Sequence, residues 1–568
     1  MTTRWMERVY DQDKAANLAR DMDLRPIVAR VMAARGIDTR EAATAFLGPK
    51  LEHLGDPGLL ADMPAAAERI VYAVRQGQTI GIFGDYDVDG VTSTTLLWEF
   101  LEQVGAKVFA TIPDRLKEGY GLSVPGVERL KAAGAQLIIT VDCGITAHEE
   151  VLAAVQHGID VIVIDHHTVP VELPKAVAVI NPHRVDCSSD AKHLCAVAVT
   201  FNLCLAVRRM LREQTYFANC QEPNMRAALD LVALGTVADV MPLVRDNRVF
   251  VVHGLAVMAR NLRPGIQAML HAASIDPSKL SAGTLGFHLG PRINAAGRLE
   301  DAMQAVHLLR ARDFGQALVI AEQLEKKNAE RRSLEQAIVQ EAIAEVEASA
   351  DHREAKVLVV GREHWHPGVV GIAASRLVDK FGKPAIVIGE GGKGSGRSIP
   401  AFHLHEALCE VKSSLHGFGG HAHAVGVQLG TKSLSSFRDA LLAHAHKILR
   451  AEDLGRVVLH DGAIPLEEVS DRLVEALSQI APFGRANPEP VFRLNSVTAT
   501  SIRELKGAHL RGIVRGAGQD IGFIAFGMAT QAALFQKPVD LLAVPEINEW
   551  QNRKQLQLRV KEVAETKQ

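Results

Sequence analysis

At 568 residues the chain is too long for one hydrophobic core and should divide into roughly three or four domains. An apolar content of 47% with 23% charged residues is that of a soluble globular protein, and no apolar run reaches membrane-spanning length. A formal net charge of −3 excludes a uniformly basic coat for nucleic acid, so such a partner has to be gripped by a local basic groove.

Residues up to about 70 pattern as short helices with turns, including 28–35 and 39–46. From 71 to 260 short apolar runs alternate with helical patterns: TIGIF (79–83), a helix over 92–104, VFATI (108–112), a helix over 127–133, LIITV (137–141), a helix over 147–157 and VIVI (161–164). That alternation is the signature of a doubly wound parallel sheet. Residues 301–349 read as a long connector helix between two lobes, with a coiled-coil dimer as the alternative that its short heptads disfavour. A second α/β unit starts with VLVVG (357–361) and AIVIG (385–389), followed by a glycine-rich loop, GGKGSGRS (391–398), and a second such segment, GGHAHAVG (419–426). Beyond 456 come VVLH, VFRL, LRGIV, IGFIAF, DLLAV and LQLRV, with a helix around 466–480. Five or six short strands suit an OB-like β-barrel, and a plain β-sandwich stays open. The expected fold is therefore α/β, divided into an N-terminal helical segment (1–70), a doubly wound domain (71–300), a connector helix (301–350), a smaller α/β domain (351–450) and an OB-like barrel (451–568).

Three apolar runs stop at acidic or imidazole residues. TIGIF ends at Gly84-Asp85-Tyr86-Asp87-Val88-Asp89-Gly90, LIITV at Asp142-Cys143-Gly144, and VIVI at Asp165-His166-His167. A further carboxylate, Asp239, follows an apolar helical stretch. Loops at the carboxyl ends of parallel strands share one rim, where open α/β folds place their ligands. Crowded carboxylates repel one another unless cations lie between them. Oxygen ligands with one or two imidazoles suit Mn²⁺ or Mg²⁺, and a carboxylate shared by two ions suits in-line attack at phosphorus. The residues alone thus point to a two-metal phosphoester hydrolase. DYDVDG begins like an EF-hand loop, but Leu96 stands where that loop needs its twelfth-position Glu, and a strand precedes it. Any single aspartate here reads more readily as a turn or cap than as a ligand; the joint pattern carries the inference.

Other motifs are weaker. Ser395 and Arg397 in the glycine-rich loop suit a phosphate, with a surface hairpin at even odds. Arg292 and Arg298 in PRINAAGR are phosphate contacts or solvated arginines, and Arg115 with Tyr120 offers a phosphate contact, a stacking ring or simply a turn. His403, His405, His416, His421 and His423 could form a second metal site, but phosphate hydrogen bonding or packing is favoured. Cys143 is expected to pack rather than react. The six cysteines lack C-x-x-C spacing and the N-terminus lacks signal or transit character, so a cytoplasmic location is expected.

The motifs DYDVDG, VDCGI, DHH and Ala238-Asp239 resemble the four motifs of the DHH phosphoesterase superfamily, and the segments 394–398 and 419–426 resemble its DHHA1 domain. With Arg115, the 291–298 segment, the connector and the tail carrying Pro482-Phe483-Gly484, the chain resembles the RecJ family of single-strand-DNA-specific 5′→3′ exonucleases from about residue 70 onward. The resemblance implies two ions, Mn²⁺ or Mg²⁺, held by Asp87, Asp89, Asp142, His166 and Asp239, with Asp142 bridging and Asp85 a further or outer ligand. It implies that His167 contacts the scissile phosphate and that Asp165 orients a histidine ring. Ser395 and Arg397, with Arg115 and one of Arg292 or Arg298, would hold a 5′-terminal phosphate, with His421 and His423 as further phosphate contacts. Single-stranded DNA is the implied substrate, and a single-strand-binding protein and a RecQ-type helicase the implied partners of a monomer with no membrane association. Two rivals are a phosphodiesterase of short oligonucleotides or cyclic dinucleotides, and a non-catalytic DNA-binding scaffold.

Overall fold

The computed structural model describes residues 3–114, 118–260, 262–299, 301–430, 434–516, 518–550 and 553–566, with backbone alone at 298, 299 and 550. The chain forms two compact units, one of residues 1–6 and 326–459 and the other of residues 7–325 and 460–568. Among the described residues no helix is long and apolar enough to cross a membrane.

The larger unit is built on a five-stranded, wholly parallel sheet. Its spatial order is Lys107–Thr111, Thr79–Gly84, Leu137–Val141, Asp160–Ile164 and Ala178–Ile180. The three middle strands are buried almost throughout, as their unbroken apolar runs require. The edge strand Ala178–Ile180 was not anticipated, being only 3 residues long. In this order the chain leaves Thr79–Gly84 for one side of the sheet and returns through Leu137–Val141 on the other. The carboxyl ends of those two strands therefore flank the topological switch point. Helix Val88–Gln103 and the apolar helices Ala196–Glu213 and Leu229–Ala238 cover the sheet in one core.

The same unit contains a closed barrel in the order Phe492–Leu505, His509–Gly516, Gln519–Ala525, Arg553–Glu565 and Val539–Trp550, which decides for the OB-like reading over the sandwich. The expected tail strand VVLH does not join it. Val457–His460 pairs instead with Arg4–Glu7 in a two-stranded sheet. The expected helix around 466–480 is a short 3₁₀ turn, Leu466–Glu468, and a helix, Asp471–Ser478, capped by Ser470 onto the Leu473 N–H. The N-terminal helices Gln12–Asp21, Pro26–Ala33 and Arg40–Leu47 lay Leu18, Val28, Met32 and Phe46 into one core with Leu473, Phe492, Phe523 and Phe535 of the barrel region.

The smaller unit holds a five-stranded sheet in the order Leu415–Gly420, Ala424–Leu429, Lys393–Arg397, Ala385–Ile388 and Leu358–Gly361. Helix Val370–Phe381 connects its one parallel pair. Here the expected glycine-rich loop is corrected: after a turn at Glu390–Gly392, Lys393–Arg397 is an interior strand paired on both sides. Its glycines are steric. A Cβ at Gly394 would lie 2.4 Å from Ile388 Cδ1, and one at Gly396 2.7 Å from Leu404 Cδ2.

The connector is two helices, Met303–Arg310 and the 35-residue Phe314–Ala348, separated where Asp313 caps the Gln316 N–H. Its first half buries Ala317, Ala321 and Leu324 in the core of the larger unit, and its second half buries Ile338, Ala342 and Val346 in that of the smaller.

Candidate metal centre

Backbone N–H groups fix Asp87 and Asp89 at the sheet edge. Asp87 starts helix Val88–Gln103 and accepts from the Asp89 and Gly90 N–H groups at 2.9 and 3.1 Å. Asp89 lies inside that helix and is buried, with its two oxygens accepting from Ala196 N at 2.7 Å and Val197 N at 2.8 Å. Those N–H groups open helix Ala196–Glu213, whose N-cap residue Cys195 makes no side-chain capping bond. Asp89 thus supplies the cap from a distance and sits in the favourable end of the helix dipole. Asp142 adopts φ +64°, a left-handed conformation that aspartate tolerates better than most residues, while its N–H still donates to Ile164 O at 2.9 Å. Asp239 ends helix Leu229–Ala238, and Val240 after it has φ +55°, strained for a β-branched residue. The elements approach closely: a Cβ on Gly90 would sit 2.4 Å from Asp85 O, and one on Gly235 2.5 Å from Thr92 Oγ1.

Among the described residues three groups come within ligating range of a cation: Asp85, Asp87 and Asp142; Asp89, His166 and Asp239; and Asp142, His166 and His167. Asp142 and His166 recur and so join the groups into one cluster. Nε2 of His166 lies 3.2 Å from Asp142 Oδ1 and 3.7 Å from both Asp89 Oδ2 and Asp239 Oδ2. Asp165 does not enter these groups. Its fully buried carboxylate accepts from the N–H groups of Ile145, His166 and His167 at 3.0, 2.8 and 3.0 Å and from His167 Nδ1 at 2.7 Å. Tyr120 donates to Asp142 O at 3.0 Å and lies 3.2 Å from His167 Nδ1.

The electrostatics match. Burial, with Asp87 nearby, pushes the Asp89 carboxyl up to about 7. Burial and the Asp89 and Asp87 charges push Asp239 up to about 9, and burial with the neighbouring carboxylates holds Asp142 well above its ordinary value. Burial and the adjacent His167 pull His166 down to about 4, which leaves a neutral imidazole with a lone pair to give. For His167 burial acts downward, but the hydrogen bond and charge of Asp165 outweigh it and raise the ring to about 9. Oδ1 of Asp142 is buried and accepts no hydrogen bond among the described residues. Buried carboxylates that cannot all ionise unaided, around a neutral imidazole and an unsatisfied oxygen, fit divalent cations of the Mn²⁺ or Mg²⁺ type.

The remaining sequence-derived candidates separate. Arg115 lies outside the described residues, as does the side chain of Arg298. The solvated reading of Arg292 is corrected: the residue is buried, its Nε 2.5 Å from Glu325 Oε2 and its Nη1 donating to His288 O. Ser395 and Arg397 lie beside the first turn of helix Val370–Phe381, where a Cβ on Gly371 would meet Ser395 Oγ at 3.3 Å and Arg397 Nη2 at 3.4 Å. His421 and His423 are exposed at the turn joining the edge strand Leu415–Gly420 to Ala424–Leu429, and His423 O accepts from the Ser398 N–H. Among the described residues no three of the histidines 403, 405, 416, 421 and 423 gather within ligating distance. Cys143 is buried in the core, as expected. Two contributors escaped the sequence reading. Asn294 Oδ1 accepts the Val88 N–H at 3.1 Å, and the Ala196–Val197 helix start anchors Asp89. The second had a signal, since a helix opening Cys-Ala-Val lacks a capping side chain of its own and needs one from elsewhere.

The chain matches the family models of the DHH family N-terminal domain over residues 79–236, the DHHA1 domain over 354–450 and the RecJ OB domain over 460–562. It is 37% identical over 571 residues to the single-stranded-DNA-specific exonuclease RecJ of Escherichia coli, covering 97% of each chain. It is 36% identical to the Bacillus subtilis protein of the same name, covering 99% of this chain and 71% of that one. The crystal structure of RecJ from Thermus thermophilus in complex with Mn²⁺ superposes with a TM-score of 0.84 at 28% identity, covering 100% of this chain and 80% of that one. Its Mg²⁺ complex superposes with a TM-score of 0.79 at 27% identity, covering 100% of this chain and 79% of that one. Domain order, sheet-edge carboxylates and full-length similarity agree, and the chain belongs to the RecJ family of DHH phosphoesterases.

Proposed function

We propose that this protein is a single-strand-specific DNA exonuclease that hydrolyses phosphodiester bonds from the 5′ end and releases 5′-mononucleotides, in DNA repair and recombination. The carrying observation is the joined cluster of ligating groups, with Asp142 and His166 common to more than one of them. Asp85, Asp87 and Asp142 would hold one cation and Asp89, His166 and Asp239 the other, with Asp142 reaching both. When bound, two such ions supply an activated water and charge neutralisation at the phosphorus and leaving oxygen.

The protein's own groups do the positioning. Asp165 ties down Nδ1 of His167 and leaves Nε2 for a phosphate oxygen. The helix that Asp89 caps holds this carboxylate rigid, so it need not reorganise as charge develops. In the smaller unit Ser395, Arg397 and the start of helix Val370–Phe381 offer a hydroxyl, a guanidinium and backbone N–H groups, a set suited to a terminal phosphate. We also assign Arg115, one of Arg292 or Arg298, His421 and His423 to phosphate contacts of the strand. We also propose the division 71–300, 301–350, 351–450 and 451–568 for catalytic domain, connector, DHHA1 domain and OB-like domain. Action as a cytoplasmic monomer, with a single-strand-binding protein and a RecQ-type helicase as partners, belongs to the same proposal.

The test uses one single-stranded DNA oligomer labelled at either end, with Mn²⁺ or with EDTA. Metal-dependent release of labelled mononucleotide from the 5′ end, with stepwise shortening of the 3′-labelled strand, is the expected result. Binding without cleavage, or attack from the 3′ end, would refute it.

A further inference from the structure

The residue after Gly484 in the segment Pro482–Asn487 is an arginine, and the fold of the larger unit brings it to the edge of the metal centre. Gly484 and Asn487 close a tight turn through N–H to carbonyl bonds of 2.9 and 3.2 Å, with Ala486 at φ +64°. Asn487 is buried, and its Nδ2 donates to Ile480 O at 2.7 Å and Pro482 O at 2.9 Å. Arg248 holds the same segment by donating from Nη2 to Ala481 O at 2.7 Å. The turn docks on the backbone that follows Asp239: Leu243 N donates to Arg485 O at 2.9 Å, and a Cβ on Gly484 would come 2.7 Å from Leu243 Cδ1. None of these bonds uses the Arg485 side chain. The turn is therefore built without it and presents it.

The exposed Arg485 guanidinium makes one long hydrogen bond, Nη1 to Val240 O at 3.4 Å, and no ion pair among the described residues. It contrasts with Arg292, which Glu325 neutralises. Its hydrogen-bond acceptor, Val240, is the residue that follows Asp239. A planar fork with most of its donors unused, held on a rigid turn beside a phosphodiester-cleaving centre, is suited to a backbone phosphate.

We propose that Arg485 binds a phosphate of the DNA strand at the mouth of the metal centre, next to the one being cleaved, and so sets the register of the strand over Asp142 and His167. This rests on the reading of the centre as a DNA-cleaving site. The competing role is a brace that only fixes Val240 and, through it, Asp239.

The experiment compares full-length wild type with Arg485→Gln and Arg485→Lys. Affinity for a fluorescent single-stranded 30-mer is read by anisotropy in EDTA across a salt series, and Mn²⁺ affinity by calorimetry without DNA. Arg485→Gln should weaken DNA binding about three- to tenfold and lower the slope of log affinity against log salt by about 0.7, the value for one phosphate contact on a single strand. Arg485→Lys should recover part of the affinity and most of the slope, and Mn²⁺ affinity should stay within about twofold of wild type. Unchanged DNA affinity and slope would overturn the proposal. So would a loss of Mn²⁺ affinity in Arg485→Gln with the DNA slope unchanged, because that is the signature of a brace. Wild-type cleavage with Mn²⁺ is scored separately, so a protein that fails to cut removes the functional reading without deciding the Arg485 contact.

Discussion

Asp165→Asn removes one charge and no volume from a fully buried position, and its cost can be worked from the hydrogen bonds it disturbs. Oδ2 accepts the Ile145 N–H, while Oδ1 accepts two backbone N–H groups and the His167 ring. An amide can replace only one of these oxygens. With its carbonyl toward His167, its NH₂ faces the Ile145 N–H, and a buried donor left unpaired costs about 1–3 kcal/mol. The bonds kept at the carbonyl fall from charge-assisted to neutral strength, a loss of about 1 kcal/mol each if they were independent. They share one oxygen and are not additive, so about 3 kcal/mol is a fair total. If exchange at the Ile145 amide proceeds by opening of this loop, its protection should fall about a hundredfold, from the rule of tenfold per 1.4 kcal/mol. Hydrogen–deuterium exchange on peptides spanning 142–150 reads this directly. Turnover should drop with it, because His167 loses the partner that orients its ring. A double-mutant cycle with His167→Ala should show that the two losses overlap. Unchanged exchange at Ile145, or full additivity with His167→Ala, would refute the claim that Asp165 acts through His167.

Asp142→Asn keeps a side chain that tolerates the left-handed backbone, should abolish hydrolysis, and should leave DNA binding largely intact. Because it removes one of several mutually repelling buried carboxylates, it should unfold about 2–4 °C above wild type in EDTA, whereas saturating Mn²⁺ should reverse the order; differential scanning calorimetry reads both. In the barrel, burial acts to raise Asp540, but the Ser496 N–H, Arg493 and Thr566 outweigh it and hold the carboxyl below its ordinary value. A depressed folded-state value stabilises above the ordinary carboxylate range and is lost as pH falls below about 4. Urea midpoints measured down through that range should therefore decline less steeply in Asp540→Asn than in wild type. Arg397→Ala should reduce the preference for 5′-phosphorylated over 5′-hydroxyl ends, and equal rate ratios for mutant and wild type would remove that residue from the end-binding set.

The metal rim was readable because its signal is local: an unbroken apolar run stops, and the next residue is acidic or imidazole. That rule located Asp85, Asp142 and Asp165 at the ends of Thr79–Gly84, Leu137–Val141 and Asp160–Ile164. What failed depended on partners remote in sequence. Lys393–Arg397 looks like a loop because glycines are poor strand formers, yet Ile388 and Leu404 leave no room there for anything larger. Val457–His460 is a short apolar run like those of the barrel strands, and only the presence of Arg4–Glu7 explains why it pairs elsewhere. Nothing near Arg292 in the sequence marks its pairing with Glu325. The left-handed turn at Asp142 leaves no mark in composition at all.

The core shared by the N-terminal helices and the barrel has a consequence for biosynthesis. Val28, Met32 and Phe46 find their apolar partners in residues such as Phe492, Phe523 and Phe535, more than four hundred positions later. At roughly 5–20 residues per second, a ribosome needs on the order of half a minute to two minutes to supply them. Throughout that interval helices Gln12–Asp21 and Pro26–Ala33 have only each other to bury against in this core. A holding chaperone early in translation, or a slow synthesis rate tolerated without aggregation, is what this arrangement asks of the cell that makes it.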